Sequence, residues 1–410
     1  MSESLAEPGV VPSAGRGRAA APGPARTGAF WLALLAGPLS FGIAGPALVL
    51  DDVAAALGVR TGAATWAVTA FGWGIAVGTP LLAGLLGRRG LRAALTVCGL
   101  LVAAGAVLAA AVPVLPAVVL GTALQGLGTA GLTATAMSLA VTPLRMGCVT
   151  ASLAVVGSTA PLVGSLVNDV FSWRATLALP VLSLLALPAV LRGAPPDTVA
   201  RGRFDATGAV LMTALVTALV FVPHQPPAAG VCAVAAAVLL GLHLRARPDG
   251  FVPAVLVRTP AFLFSAGTAF ALAVVNFGLM YAIPERLSEH TDWTSSQIGV
   301  AMVWPLLLGG TLSWFVVAAS ARVGRVPVAG VLAAMGVAGA VTAWLAAAPP
   351  VLLVAQGLAS IAAASGQGVL AVHATSAVPD GHRPAAIGLF NLCYLLGAAF
   401  GPAVVGLLAL

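Results

Sequence analysis

Apolar residues in this chain run in long stretches, separated by short segments that hold most of the charge. Thirteen stretches reach or approach the roughly 20 residues needed to cross a bilayer as a helix. They are 29–50, 63–86, 93–112, 114–142, 147–168, 173–191, 206–223, 227–244, 260–284, 296–320, 326–347, 350–374 and 385–410. The breaks carry proline: Pro113 and Pro116, Pro195-Pro196, Pro226-Pro227 and Pro349-Pro350. A backbone in lipid must satisfy its polar groups within the segment, so these runs read as helices. The expectation is an all-α polytopic membrane protein.

Composition points the same way. Charged residues are 8% of the 410, hydrophobic residues 60%, and the mean hydropathy is +1.05. A soluble protein of this length would carry about 25% charge over two to four domains. The four cysteines, Cys98, Cys148, Cys232 and Cys393, lie inside apolar runs with no paired spacing, so they read as packing residues and not as a metal or disulfide framework. No nucleotide loop, zinc motif or nucleophile elbow is present, which argues against an enzyme and against a bound cofactor.

The formal charge of +7 changes meaning once it is placed along the chain. All 19 basic residues are arginine. With the N-terminus in the cytoplasm and sides alternating, Arg16, Arg18, Arg26, Arg88, Arg89, Arg92, Arg145, Arg192, Arg201, Arg203, Arg245, Arg247, Arg258, Arg322, Arg325 and Arg383 fall inside. Only Arg60, Arg174 and Arg286 fall outside. That bias sets an orientation, N-terminus cytoplasmic and C-terminus outside, and the Ala-, Gly- and Arg-rich composition without lysine points to a bacterial plasma membrane. The charge describes topology, and nucleic acid is not an expected partner. Trp31, Trp66, Trp173, Trp293 and Trp344 lie near span ends as an interfacial belt, whereas Trp73, Trp304 and Trp314 are mid-span. Residues 1–27, rich in Pro, Gly, Ser, Ala and Arg, read as a disordered tail, and the first span begins too late for a cleaved signal peptide.

Several features recur in order at offsets of 231–241 residues. Arg88-Arg89-Gly90 returns as Arg322-Val323-Gly324, and Gln125-Gly126-Leu127 as Gln356-Gly357-Leu358. Arg145 returns as Arg383, and Ala160-Pro161 as Gly401-Pro402. Such duplication is common in transporters. It divides the chain into an N-terminal six-helix bundle (28–192), a linker with an inserted helix pair (193–258) and a C-terminal bundle of about five helices (259–410).

The order of these motifs resembles the major facilitator superfamily, and within it the fourteen-span drug:proton antiporters. The likeness rests on Leu50-Asp51-Asp52-Val53 with the following Ala-rich turn, Trp66-Ala67-Val68-Thr69-Ala70-Phe71, Arg88-Arg89-Gly90-Leu91-Arg92, Gln125-Gly126-Leu127-Gly128, Ala160-Pro161-Leu162-Val163-Gly164, Ser172-Trp173-Arg174 with Pro180, and Phe204-Asp205-Ala206-Thr207-Gly208. It implies a two-bundle transporter that exports a small amphiphile or drug by alternating access, as a monomer, with protons as a possible second partner. Arg88, Gly90, Gly126, Pro161, Gly164, Arg322, Gly324 and Arg325 then fall on its signature positions. Three charges that the family keeps are replaced: Gly42 in the first span, Gly87 (and Ala321) before the arginine motif, and Thr122 in the fourth span.

An ionisable group inside a span usually marks function. Here Asp51, Asp52 and His373 are the coupling candidates, beside their ordinary readings as a solvated helix end and an interfacial histidine. Gln125, Asn276, Trp304, Gln356, Asn391 and Tyr394 are the candidates for a substrate cavity, suited to a neutral amphiphile. As interhelical hydrogen bonds each amide would contribute about 0.6–2 kcal/mol. The pairs Gly74/Gly78 and Gly397/Gly401 are expected where the second and thirteenth spans meet. A second function class remains open, a transporter-derived binding or scaffold protein.

Overall fold

The computed structural model describes residues 27–193, 205–222, 226–293 and 295–408. The expected disordered tail lies outside them apart from Thr27, as does Phe204. The helices are α1 (Ala29–Ala44), α2 (Thr61–Arg89), α3 (Leu91–Ala111), α4 (Leu115–Leu139), α5 (Pro143–Val170) and α6 (Trp173–Gly193). The pair α7 (Ala206–Phe221) and α8 (Pro226–Ala246) follows, then α9 (Pro260–His290), α10 (Ser295–Val323), α11 (Arg325–Leu345), α12 (Pro349–Ser376) and α13 (Arg383–Leu408). No strand occurs among the described residues. Eleven of these helices are long and apolar enough to cross a membrane, and α1 and α7 are shorter apolar helices.

The first apolar run is not one continuous helix. It breaks at Gly37-Pro38 and again at Gly45-Pro46, then resumes as a separate helix, Leu50–Leu57. Proline removes the N–H donor and its ring crowds the preceding turn, which ends regular helix. Hydrogen bonds with α5 hold the broken segment in place: Ser152 Oγ donates to Ala33 O (3.0 Å) and Ser40 Oγ donates to Leu153 O (2.8 Å).

The repeat is visible in the turns. Gly90 (φ 85°, ψ 175°) ends α2 and Gly324 (φ 103°, ψ 146°) ends α10, both in a region that residues with a Cβ rarely adopt. Each tightens the α2–α3 or α10–α11 connection to a single residue between helices. Gly90→Ala and Gly324→Ala should each destabilise the protein by about 1–3 kcal/mol, read from the unfolding midpoint in detergent. Gly330→Ala, inside α11 where an added Cβ meets nothing within 4 Å, should instead raise stability by up to about 1 kcal/mol.

Close packing within each half runs through small residues. α2 lies on α4, where a Cβ at Gly78 would come within 2.9 Å of Leu127 Cα, and α3 lies on α4, where Gly105 faces the backbone of Gly121. α9 lies on α13 through Gly397 and Gly401. This corrects one expectation: α2 and α13 do meet, but their glycine pairs face α4 and α9 inside their own halves. The reason is steric. Two helices approach most closely inside a bundle, so the small residues are placed there.

The halves join unevenly. At the arginine-bearing end, Leu35, Met137, Met146 and Val149 share one buried cluster with Val317, Val369, Val372 and Ile387. At the opposite end the clusters are separate: Val49, Val53, Val118 and Trp173 in the first half, and Ile283, Leu287, Met302 and Leu352 in the second. α5 packs on α10 and α12, and α7 rests on α2, where Trp73 Nε1 donates to Thr217 Oγ1 (3.1 Å).

Candidate functional site: a cavity between the halves

Above the shared cluster lies a cavity of about 140 Å³ that both halves line. The first half supplies Ser40 and Ile43 from α1, Thr133 from α4, and Leu153 and Ser158 from α5. The second supplies Asn276, Phe277 and Met280 from α9, Leu306 from α10, Ser360 and Gln367 from α12, and Asn391 and Tyr394 from α13. No lining residue carries a charge at neutral pH. The Tyr394 ring meets Phe277 edge-on at 6.3 Å, an arrangement that suits two aromatic quadrupoles.

Two amide pairs organise the second half. Gln367 Nε2 donates to Asn391 Oδ1 (3.1 Å), linking α12 to α13, and Gln356 Nε2 donates to Asn276 Oδ1 (3.1 Å), linking α12 to α9. Thr133 Oγ1 is buried and has no hydrogen-bond partner among the described residues.

Three of the six cavity candidates, Asn276, Asn391 and Tyr394, line this space. Gln356 sits behind Asn276, with its Oε1 buried and unpartnered. Trp304 is 45% exposed and does not line the cavity. Gln125 is fully buried against Gly105 of α3, and neither of its amide atoms has a partner. At the 231-residue offset that relates Gln125 to Gln356, Asn276, which serves Gln356, corresponds to Gly45, which has no side chain to offer Gln125. The Phe71 ring fills the place where a Cβ at Gly42 would stand.

The coupling candidates stand apart from the cavity. Asp51 and Asp52 are exposed on the Leu50–Leu57 helix, where Asp52 Oδ2 accepts from Asn168 Nδ2 (2.7 Å). His373 is half-buried near the arginine-bearing end of α12. Among the signature residues, Gly126 packs on the Phe71 backbone and Gly164 on the Gly45 backbone, while Pro161 lies inside α5. Arg322 is exposed and Arg325 Nη1 donates to Ser376 Oγ (2.8 Å). The side chain of Arg88 lies outside the described residues.

Sequence reasoning missed Gln367, Thr133, Ser40, Ser158 and Ser360. A signal existed for two of them: Gln356, Ser360 and Gln367 are spaced i, i+4, i+11, which places them on one face of a helix.

A second polar cluster joins the inserted pair to the turn around Phe251. Asp205 is 4% exposed and caps α7, accepting from Gly208 N (3.0 Å), Phe251 N (2.9 Å) and His243 Nε2 (2.8 Å), with Arg247 at 4.0 Å. Burial pushes its carboxyl up. The backbone donors of Phe251 and Gly208 and the neighbouring His243 outweigh that and hold it below the usual carboxylate range. A Cβ at Gly250 would stand 2.5 Å from this carboxylate, so the turn needs glycine there.

The sequence profile of the Major Facilitator Superfamily matches residues 30–273 and 262–410. Two uncharacterized MFS-type transporters of Mycobacterium tuberculosis (strains CDC 1551 / Oshkosh and ATCC 25618 / H37Rv) are each 28% identical over 382 residues, covering 84% of this chain. The chain spans about half, 54%, of the length of these curated relatives. The crystal structure of the human organic anion transporter MFSD10 (TETRAN) superposes with a TM-score of 0.63 at 17% identity, covering 92% of this chain and 91% of that one. The proton:xylose symporter XylE bound to 6-bromo-6-deoxy-D-glucose gives 0.57 at 15%, covering 93% and 88%. At these identities the likeness is one of fold.

Proposed function

We propose, for a chain that belongs to the Major Facilitator Superfamily and is a multi-pass secondary membrane transporter, that it exports a small amphiphile by alternating access. The observation that carries this reading is the cavity between two halves that share buried clusters at one end and midway along the spans but have separate clusters at the other end. Rocking of two bundles about a central site is how such a fold exposes that site to each side in turn. The sixteen-to-three bias of arginine supports a cytoplasmic placement of the joined end in a bacterial plasma membrane, with thirteen spans. The conformation described is then outward-facing.

Coupling to protons requires a group whose protonation differs between the two states. No carboxylate or histidine is among the described residues that line the cavity, which supports flux that follows the substrate's own gradient, outward when the amphiphile accumulates inside. Flux of a panel of drugs and metabolites into proteoliposomes tests this. At least one compound should move, with the rate unchanged within about twofold by a proton gradient, by Asp51→Asn or by Asp52→Asn. Flux that collapses without the gradient and in either variant contradicts the uncoupled mechanism. No flux of any compound favours a binding or scaffold role.

A further inference from the structure

The cavity presents hydrogen-bonding groups without charge, and its free donors come from Thr133 and two asparagines. Ser40, Ser158 and Ser360 direct their O–H groups to the carbonyls of Leu153, Ala154 and Leu306. Gln356 and Gln367 occupy the carbonyl oxygens of Asn276 and Asn391, so what each asparagine has left to offer is its N–H2. Thr133 Oγ1, 1% exposed as a residue, lines the cavity with no partner among the described residues. A buried hydroxyl without an acceptor is unfavourable, and a solute oxygen would relieve it. Thr133 belongs to the first half and Asn391 to the second, so one solute that reaches both would tie the halves together.

Resting on the transporter reading, we infer that the cavity selects an uncharged solute with an acceptor oxygen, such as a carboxamide, ester or lactone carbonyl, held between the Thr133 hydroxyl and the Asn391 amide. A cation would meet no carboxylate there and an anion no basic group, and an unpaired charge is costly to desolvate. In the conformation described the space holds a group equivalent to about five water molecules at roughly 30 Å³ each, enough for the polar end of an amphiphile.

The test uses three probes of one shape: benzamide (uncharged), benzamidine (cationic) and benzoate (anionic). Binding to the purified full chain in detergent is followed by ligand-observed NMR. Benzamide should bind at least about tenfold more tightly than either ion. Thr133→Val, which replaces only the hydroxyl, should weaken it by about fivefold, and Thr133→Ser should retain it. Benzamide binding by a protein that moves no compound in proteoliposomes supports this inference while removing the transport reading. Equal response to all three probes, including none, overturns the inference, as does an unchanged affinity in Thr133→Val.

Discussion

A disulfide between cysteines placed by Gly147→Cys and Trp314→Cys should stop transport, in a background from which Cys98, Cys148, Cys232 and Cys393 have been removed. A Cβ at Gly147 stands 3.4 Å from Trp314 Cα and 3.3 Å from its Cδ1, within the reach that bridged cysteines need. The bond would pin α5 to α10 inside the cluster that joins the halves. A covalent bond between these two helices forbids the separation of α5 and α10 that inward opening requires. Flux should drop to background on oxidation and return on reduction. Each single cysteine variant should transport with or without oxidant. Undiminished flux in the oxidised double variant would mean that the joined end never opens.

The second large effect concerns the Asp205 cluster. Asp205→Ala leaves the amides of Gly208 and Phe251 and the ring of His243 without their shared acceptor. Loss of charge-assisted hydrogen bonds at a buried site should cost about 3 kcal/mol of stability, measured by denaturant unfolding in detergent. Because the folded-state carboxyl is held below its ordinary value, the stabilisation is fully present above that ordinary value, near 3.9, and is lost as pH falls through the depressed one. The natural protein should therefore lose stability below about pH 4 more steeply than Asp205→Ala, whose profile in that range should be flatter. Equal acid slopes would show that the carboxylate is not what holds the inserted pair to the segment around Phe251.

Much of the fold could be read from the chain because a bilayer permits few solutions. Among the described residues every apolar run is mainly helical, and the arginine motif that ends the second run ends at a glycine with positive φ in both copies. What escaped was set by geometry at a finer scale. The first run looked continuous because hydropathy does not register Pro38 and Pro46 as strongly as backbone sterics do. The glycine pairs of α2 and α13 were read for their spacing, which shows that a face is small but not which helix it meets.

The cavity was half legible. Asn276, Asn391 and Tyr394 stood out as polar residues in apolar helices. Gln125 carried the same signal, yet its place is filled on every side by α3 and its own helix. Polarity marks a residue as unusual, whereas packing decides whether it faces a cavity or another helix. Serine and threonine were overlooked because a hydroxyl can return its proton to its own helix, as Ser158 does to Ala154 O, and so raises little alarm in an apolar run.

The central claim is that one cavity opens in turn to the two sides of the membrane. Its most direct test is the accessibility of Ser360→Cys, a lining position, in the background carrying Gly147→Cys and Trp314→Cys but no native cysteine, with labelling read at residue 360 by peptide mapping. A membrane-impermeant maleimide is applied to oriented vesicles from one side at a time. The account predicts labelling from both sides in the reduced protein and from the extracellular side alone once the disulfide has formed. Labelling from a single side in both conditions, or from the cytoplasmic side in the oxidised protein, would contradict it.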